Sequence, residues 1–307
     1  MTTSVPVASD DRSGIATLAL IGICLAWGVA FTVTKDALND VSSLLFLTFR
    51  FFIATLVLWG ALRWQGPLRI TWSTIRAGSV VGLALFGGYA LQTAGLRYTT
   101  PSRSAFLTGL FIVIVPLLAA LIHRRLPGFS ETAGVVIAFL GMALLSGPAG
   151  SSQTAFGDLL TIGCAFCYSL HILTLGHYAR IHNAKALALL QIGFTFLLSL
   201  LSFSWVEPVR LVPSWRLWVA VVFTGLFATA LAFLVQTWAQ RYLSATRTGL
   251  ILTMEPVFAA ITAYLVIGER LQGYAALGAF LILAAVVIVE LRLFTPRNRQ
   301  SSGPTIS

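Results

Sequence analysis

Ten unbroken apolar runs of about twenty residues set the terms for this chain: 14–34, 42–62, 75–97, 101–123, 131–147, 156–178, 186–205, 214–240, 244–267 and 271–293. That is the length an α-helix needs to cross a hydrocarbon core ~30 Å thick. A membrane barrel would instead alternate apolar and polar residues in segments of about ten. Composition closes off the soluble alternatives. Only 10% of the 307 residues are charged and 57% are hydrophobic, whereas an average soluble domain is about a quarter charged. High hydrophobicity with little charge is also the reverse of a disordered chain. The expected fold class is an all-α integral membrane protein with ten transmembrane helices. The tails, 1–13 and 295–307, are polar and rich in Ser, Thr and Pro, and read as disordered. Asp10 and Asp11 beside Arg12 give the leading segment the wrong charge for a cleaved signal peptide.

The net charge is +10. In a membrane chain such basicity reads as orientation rather than as nucleic-acid binding. With the first tail inside, 13 Lys and Arg fall in inner segments and 6 in outer ones. Both termini are therefore expected in the cytoplasm, with the chain in a bacterial inner membrane. Cys24, Cys164 and Cys167 all fall within apolar runs. Without further ligands or a helix N-terminus, Cys164-x-x-Cys167 reads as packing, not as a redox or metal site. There is no phosphate-binding loop and no metal-ligand spacing, so no cofactor is expected.

Two stretches repeat. QTAGLRYTTPSR at 92–103 matches QTWAQRYLSATR at 236–247 in Gln, Thr, Arg, Tyr and the final Arg, at an offset of 144. IGICLAW at 21–27 matches IGCAFCY at 162–168 at an offset of 141. The chain thus divides into a five-helix repeat at 14–148, an outer linker at 149–155 and a second five-helix repeat at 156–294. Five is odd, so the second repeat enters the membrane from the opposite side. Inverted repeats are the architecture of secondary transporters, because two similar halves of opposite topology exchange outward-open and inward-open cavities at similar free energy.

The repeat resembles the drug/metabolite transporter superfamily, in its EamA-like branch with ten helices. The resemblance covers nearly the whole chain. It is carried by LAWGVAFTVTK at 25–35, FRFFIATLVL at 49–58, the repeated stretches, and MEPVFAAITAYLVIGERLQ at 254–272. HRRLP at 123–127 departs from the family's common acidic–basic pair. The resemblance implies movement of small metabolites across the inner membrane, often outward.

An ionisable group at mid-bilayer costs at least ~2.5–3.5 kcal/mol, which makes function the default reading for Glu255 in the ninth run. Pro256 follows it and cannot donate to the carbonyl of Leu252. Pro116 is its expected counterpart in the fourth run, displaced by about one turn. Trp27 and Tyr168 are equivalent in the two halves and lie away from the interfaces where aromatics usually gather. His171 shares a helix face with Tyr168. Gln92 and Gln236 are symmetric amides that either hold the halves together or touch solute, and Tyr89 lies one turn before Gln92. These seven residues – Trp27, Tyr89, Gln92, Tyr168, His171, Gln236 and Glu255 – are the candidate cavity, with Pro116 and Pro256 as kinks. Arg50 and Lys35 read as snorkelling side chains, and Gly78-x-x-x-Gly82 as a close helix contact.

The expected function is alternating-access transport of small solutes, amino acids or similar amphipathic molecules being preferred. The driving energy comes from the solute gradient or from protons. The expected partners are the solute and the lipid bilayer. An intramembrane enzyme using His171 or Glu255 lacks any converging catalytic motif. A channel lacks a ring of repeated polar residues.

Overall fold

Side chains cap the helices where the apolar runs begin. Thr71 accepts from the Thr74 N–H, Thr100 from Arg103, Ser214 from Leu217 and Ser244 from Arg247. Asn183 accepts from both Lys185 and Ala186. Each supplies an acceptor to the orphan donors of a first turn. The structure is a computed structural model and describes residues 10–124, 128–146, 152–270 and 273–290. In chain order the helices are α1 (Asp10–Ala37), α2 (Ser43–Trp64), α3 (Trp72–Leu96), α4 (Pro101–Thr108), α5 (Phe111–His123), α6 (Phe129–Ser146), α7 (Ser152–Ile181), α8 (Ala184–Val206), α9 (Trp215–Gly225), a π-helical segment (Leu226–Leu231), α10 (Ala232–Ala239), α11 (Ala245–Leu252), α12 (Glu255–Ile267) and α13 (Ala275–Glu290). The pairs α4–α5 and α11–α12 and the trio α9–π–α10 each make one span. Among the described residues, eight spans are long and apolar enough to cross a membrane, and two shorter apolar helices lie at Thr132–Leu144 and Ala276–Ile288. The protein is an all-α multi-pass membrane protein of about ten helices.

α1 starts at Asp10, inside the stretch read as a tail. Arg247 holds this end by donating to Ser13 Oγ at 2.9 Å. The rest of the expected tails, 1–9 and 295–307, lies outside the described residues, as do 149–151 of the linker and 125–127 of the HRRLP stretch.

The packing crosses between the two repeats. α7 lies against α3, α4 and α5, while α1 lies against α9, α10, α11 and α12. α2 packs on its own counterpart α8, and α6 on α13. Small residues permit this interdigitation. A Cβ on Gly78 would fall 2.5 Å from Leu190 Cβ, and one on Gly82 would fall 2.7 Å from Phe194 Cβ. The Gly78–Gly82 pair thus seats α3 on α8, the close contact expected of such a motif. Gly28 does the same for α1, where an added Cβ would come within 2.8 Å of the Ala259 backbone.

The helix starts follow the repeat. The cap residues Ser42 and Asn183 are 141 apart, Thr71 and Ser214 are 143 apart, and Thr100 and Ser244 are 144 apart. From Thr71 to Gln92 is 21 positions, but from Ser214 to Gln236 is 22. The extra residue lies within the span that contains the π segment. An i→i+5 turn takes up one residue more than an α turn.

Candidate functional site

The site is built around two breaks in the spans. α4 gives way to α5 at Gly109–Leu110, and α11 to α12 at Thr253–Met254. These positions are 144 apart, the offset of the repeat. At each break the backbone tightens to three-residue bonds: Leu110 N to Leu107 O at 3.2 Å and Ile112 N to Gly109 O at 3.0 Å; Met254 N to Ile251 O at 3.2 Å and Val257 N to Met254 O at 3.1 Å. This corrects the expected one-turn displacement of the kinks. Pro116 lies inside the continuous helix α5, past the break, whereas Pro256 sits in the first turn of α12, where a missing N–H costs nothing. The first residue after each break is Phe111 in one half and Glu255 in the other.

One cavity is lined by all seven expected residues, Trp27, Tyr89, Gln92, Tyr168, His171, Gln236 and Glu255. Its volume is about 50 Å³. It is narrow and suits a small solute. Its walls come in equivalent pairs: Trp27 with Tyr168 and Phe31 with Ile172 at offset 141, and Tyr89 with Phe233, Gln92 with Gln236 and Phe111 with Glu255 at offset 144. The cavity leans towards one end of the bundle, since Thr34 and Leu96 line it. There Lys35 donates from Nζ to the carbonyls of Leu96 (2.8 Å) and Arg97 (2.9 Å). Lys35 therefore caps the C-terminal carbonyls of α3, which corrects its reading as a snorkelling anchor.

Seven of the seventeen lining residues carry aromatic rings. Tyr89 meets Tyr168 edge-on with centroids 5.5 Å apart. Phe233 touches three rings: Trp27 at 5.6 Å, His171 at 5.6 Å and Tyr89 at 6.0 Å. The two amides have parted roles. Gln92 donates to Thr108 Oγ1 at 3.1 Å and accepts from the Tyr168 hydroxyl at 3.3 Å, which ties the first half to the second. Gln236 is 1% exposed, and its Oε1 has no hydrogen-bond partner. His171 is buried, with Nε2 2.8 Å from Gln191 Oε1. Gln191 spends its amide N–H on Thr237 Oγ1 at 2.9 Å, so its oxygen faces the ring and His171 Nε2 carries the proton.

Arg50 overturns its expected reading. It is 3% exposed and points into the bundle rather than to a surface. Its Nε donates to Thr229 Oγ1 at 2.7 Å, and its Nη2 to the Tyr89 hydroxyl at 2.9 Å and to the Ala228 carbonyl at 3.0 Å. The guanidinium carbon lies 4.5 Å from the Tyr89 ring centroid, within cation–π range. Trp27 Nε1 donates to the same Ala228 carbonyl at 2.8 Å. That carbonyl lies in the π segment, where the regular four-residue ladder is interrupted and its acceptors are open to side chains. Thr229 belongs to the same turn, and its side-chain Oγ1 donates to the Thr224 carbonyl at 2.8 Å. The π turn thus presents an acceptor pair that orients both Arg50 and Trp27.

The sequence profile of the EamA-like transporter family matches residues 14–147 and again residues 155–291. The chain belongs to that family. Among relatives of this EamA-family protein is an uncharacterized transporter of Archaeoglobus fulgidus, 34% identical over 278 residues, covering 91% of this chain and 86% of the relative. The uncharacterized transporter YoaV of Bacillus subtilis is 24% identical over 283 residues, covering 88% and 94%. A solved crystal structure superposes with a TM-score of 0.75 over 92% of this chain and 99% of its own, at 21% identity, a likeness of fold. With its apolar helices, this EamA-family chain is a membrane transporter.

Sequence reasoning left out Arg50, Phe111 and Phe233. Arg50 carried a signal, since its equivalent at offset 141 is Gln191 and both are polar in mid-helix. The two phenylalanines, in an apolar span, could be found only as the counterparts of Glu255 and Tyr89. For the aromatic wall of this EamA-family cavity, we expect Trp27→Ala and Tyr168→Ala each to raise the apparent KM for solute roughly threefold to tenfold. An aromatic contact contributes ~0.5–1.5 kcal/mol beyond its burial. Each change also leaves an acceptor with one donor fewer, the Ala228 carbonyl for Trp27 and Gln92 Oε1 for Tyr168. Unchanged kinetics in both variants, at equal protein levels, would return them to packing.

Proposed function

We propose that this protein is a secondary transporter that carries small amphipathic metabolites, amino acids being the preferred class, outward across a bacterial inner membrane by alternating access. The observation that carries this reading is a narrow cavity walled by equivalent residues of the two repeats, beside a break at the same position in each. A cavity at the junction of paired repeats opens to either side when one repeat rocks against the other. The breaks at Gly109 and Thr253 give both gates the same hinge, and the crossed packing makes α1 move with α9–α12 and α7 with α3–α5. Glu255 supports coupling to protons, since an acid that lines the cavity without a hydrogen-bond partner is free to exchange a proton for a cationic group.

The orientation follows from the charge count, with both termini cytoplasmic and the repeats related by an axis in the membrane plane. A phosphatase reporter fused after Ser307 is expected to be inactive, and a periplasmic signal from it overturns the orientation. The decisive experiment is counterflow in proteoliposomes against amino acids, sugars, nucleosides and polyamines. A carrier shows saturable uptake that is accelerated by unlabelled solute on the far side. Flux without that acceleration indicates a channel, and chemical change of the solute an enzyme.

A further inference from the structure

The cavity holds one cation and one acid, which sense each other's charge without meeting in an ion pair. Arg50 and Glu255 both line it. Among the described residues the ion pair within 4.0 Å is Arg103–Asp158, elsewhere in the bundle. The hydrogen bonds of Arg50 all go to neutral acceptors, through Nε and Nη2. The Nη1 arm of the guanidinium fork makes none of these bonds, and its two N–H groups are left to meet a carboxylate. Glu255 is 8% exposed, makes no hydrogen bond, and sits in the first turn of α12.

The placement of these two charges departs from the symmetry of the cavity. Apolar and amide positions match across the repeats, but the charged ones do not. The equivalent of Arg50 is Gln191, already engaged by His171 and Thr237. The equivalent of Glu255 is Phe111. Each half therefore contributes one charge of opposite sign, and the rings of Trp27, Tyr168 and Phe233 lie along the same cavity.

We propose that this cavity is a two-ended receptor for net-neutral amphoteric solutes, in which Arg50 takes the carboxylate and Glu255 the ammonium, with the apolar remainder against the aromatic wall. The inference rests on the carrier reading above and sharpens it to a charge rule. A solute with one charged end leaves the other buried charge unanswered, and sites built for a polar group reject analogues that lack it. A zwitterion also touches both repeats at once, so recognition and the rocking of the halves are linked in one molecule.

The test compares matched compounds in counterflow: L-phenylalanine and L-leucine, their methyl esters, which lack the carboxylate, and their N-acetyl derivatives, which lack the ammonium. For the wild type the free zwitterion should compete at least tenfold better than either blocked form. Arg50→Gln should erase the advantage over the ester and keep that over the N-acetyl compound, and Glu255→Gln should do the reverse. If Arg50→Gln fails to fold, Arg50→Lys, which keeps the charge and loses the fork, together with the wild-type comparison decides the matter. Equal competition by esters or N-acetyl compounds, or exchange confined to neutral sugars and nucleosides or to cationic polyamines, overturns the receptor and leaves the carrier standing. Absence of counterflow for every solute overturns the carrier. In that case thermal stabilisation of the detergent-solubilised protein by the zwitterion against its ester still decides the receptor, equal stabilisation overturning it.

Discussion

Glu255→Gln is expected to flatten the pH dependence of exchange in a protein that still folds. Glutamine keeps the shape of the side chain but cannot ionise. The glutamate makes no hydrogen bond to the protein, so the substitution strands no partner. Removing a negative charge from the first turn of α12 costs about 0.3–1 kcal/mol, too little to unfold a packed bundle. In the wild type a proton and the cationic end of the solute compete for one carboxylate. Affinity for such a solute therefore rises with pH as the proton leaves, and falls as pH is lowered. In the variant neither change occurs. Loss of a hydrogen bond to a charged group is worth about 1.5–3 kcal/mol, so apparent affinity at high pH should fall roughly tenfold to a hundredfold. The measurement is the KM of counterflow across pH for both proteins, with thermal stability beside it. A wild-type profile in the folded variant assigns Glu255 a structural role.

Deleting Ala230 should produce a comparably large loss from a position that is not in the cavity wall. The deletion gives the eighth span the same spacing from cap to glutamine as the third, and lets the π turn close into ordinary α-helix. The Ala228 carbonyl is then consumed by the helix. Arg50 and Trp27 lose their common acceptor, and a buried guanidinium short of a partner costs about 1–3 kcal/mol. Residues on either side keep their register, so Phe233 and Gln236 stay where they are. The protein should reach the membrane with a lowered Tm and with solute affinity weakened about tenfold or more. A deletion in the regular helix α9, such as Val219, serves as the contrast: it rotates everything beyond it and should abolish assembly. Unchanged stability and exchange after loss of Ala230 would make the π turn a passive irregularity.

How far the sequence could be read depended on what each residue type reveals. The spans were legible because a lipid-facing helix has to be apolar along its whole length. The polar lining was legible because Glu255, His171 and the two glutamines are costly at that depth. Arg50 was not, since a third of the way into a helix a long side chain can reach a surface or the interior, and only the carbonyl of a distant span decides which. Lys35 failed for the same reason, as the carbonyls it caps belong to α3. Pro116 misled because proline marks a break only where the backbone uses it. In α5 the helix runs on through the proline, and the interruption falls at Gly109. Phe111 and Phe233 carried no signal beyond their place in the repeat, because a phenylalanine facing solute and one facing lipid are written alike.

The π turn also bears on how such a molecule came to have two unlike halves. One additional residue in a plain α-helix would turn all that follows by about 100°, and Gln236 and Phe233 would leave the cavity. Confined to a single wide turn, the same addition disturbs six residues, Leu226–Leu231, and nothing downstream. A duplicated segment can therefore lengthen in one copy without losing its ancestral alignment. Here the newcomer exposed a carbonyl that the sister helix keeps to itself, and an arginine found a berth. Divergence of function after duplication is usually sought in substitutions; here a difference of length supplies the acceptor that two cavity side chains share.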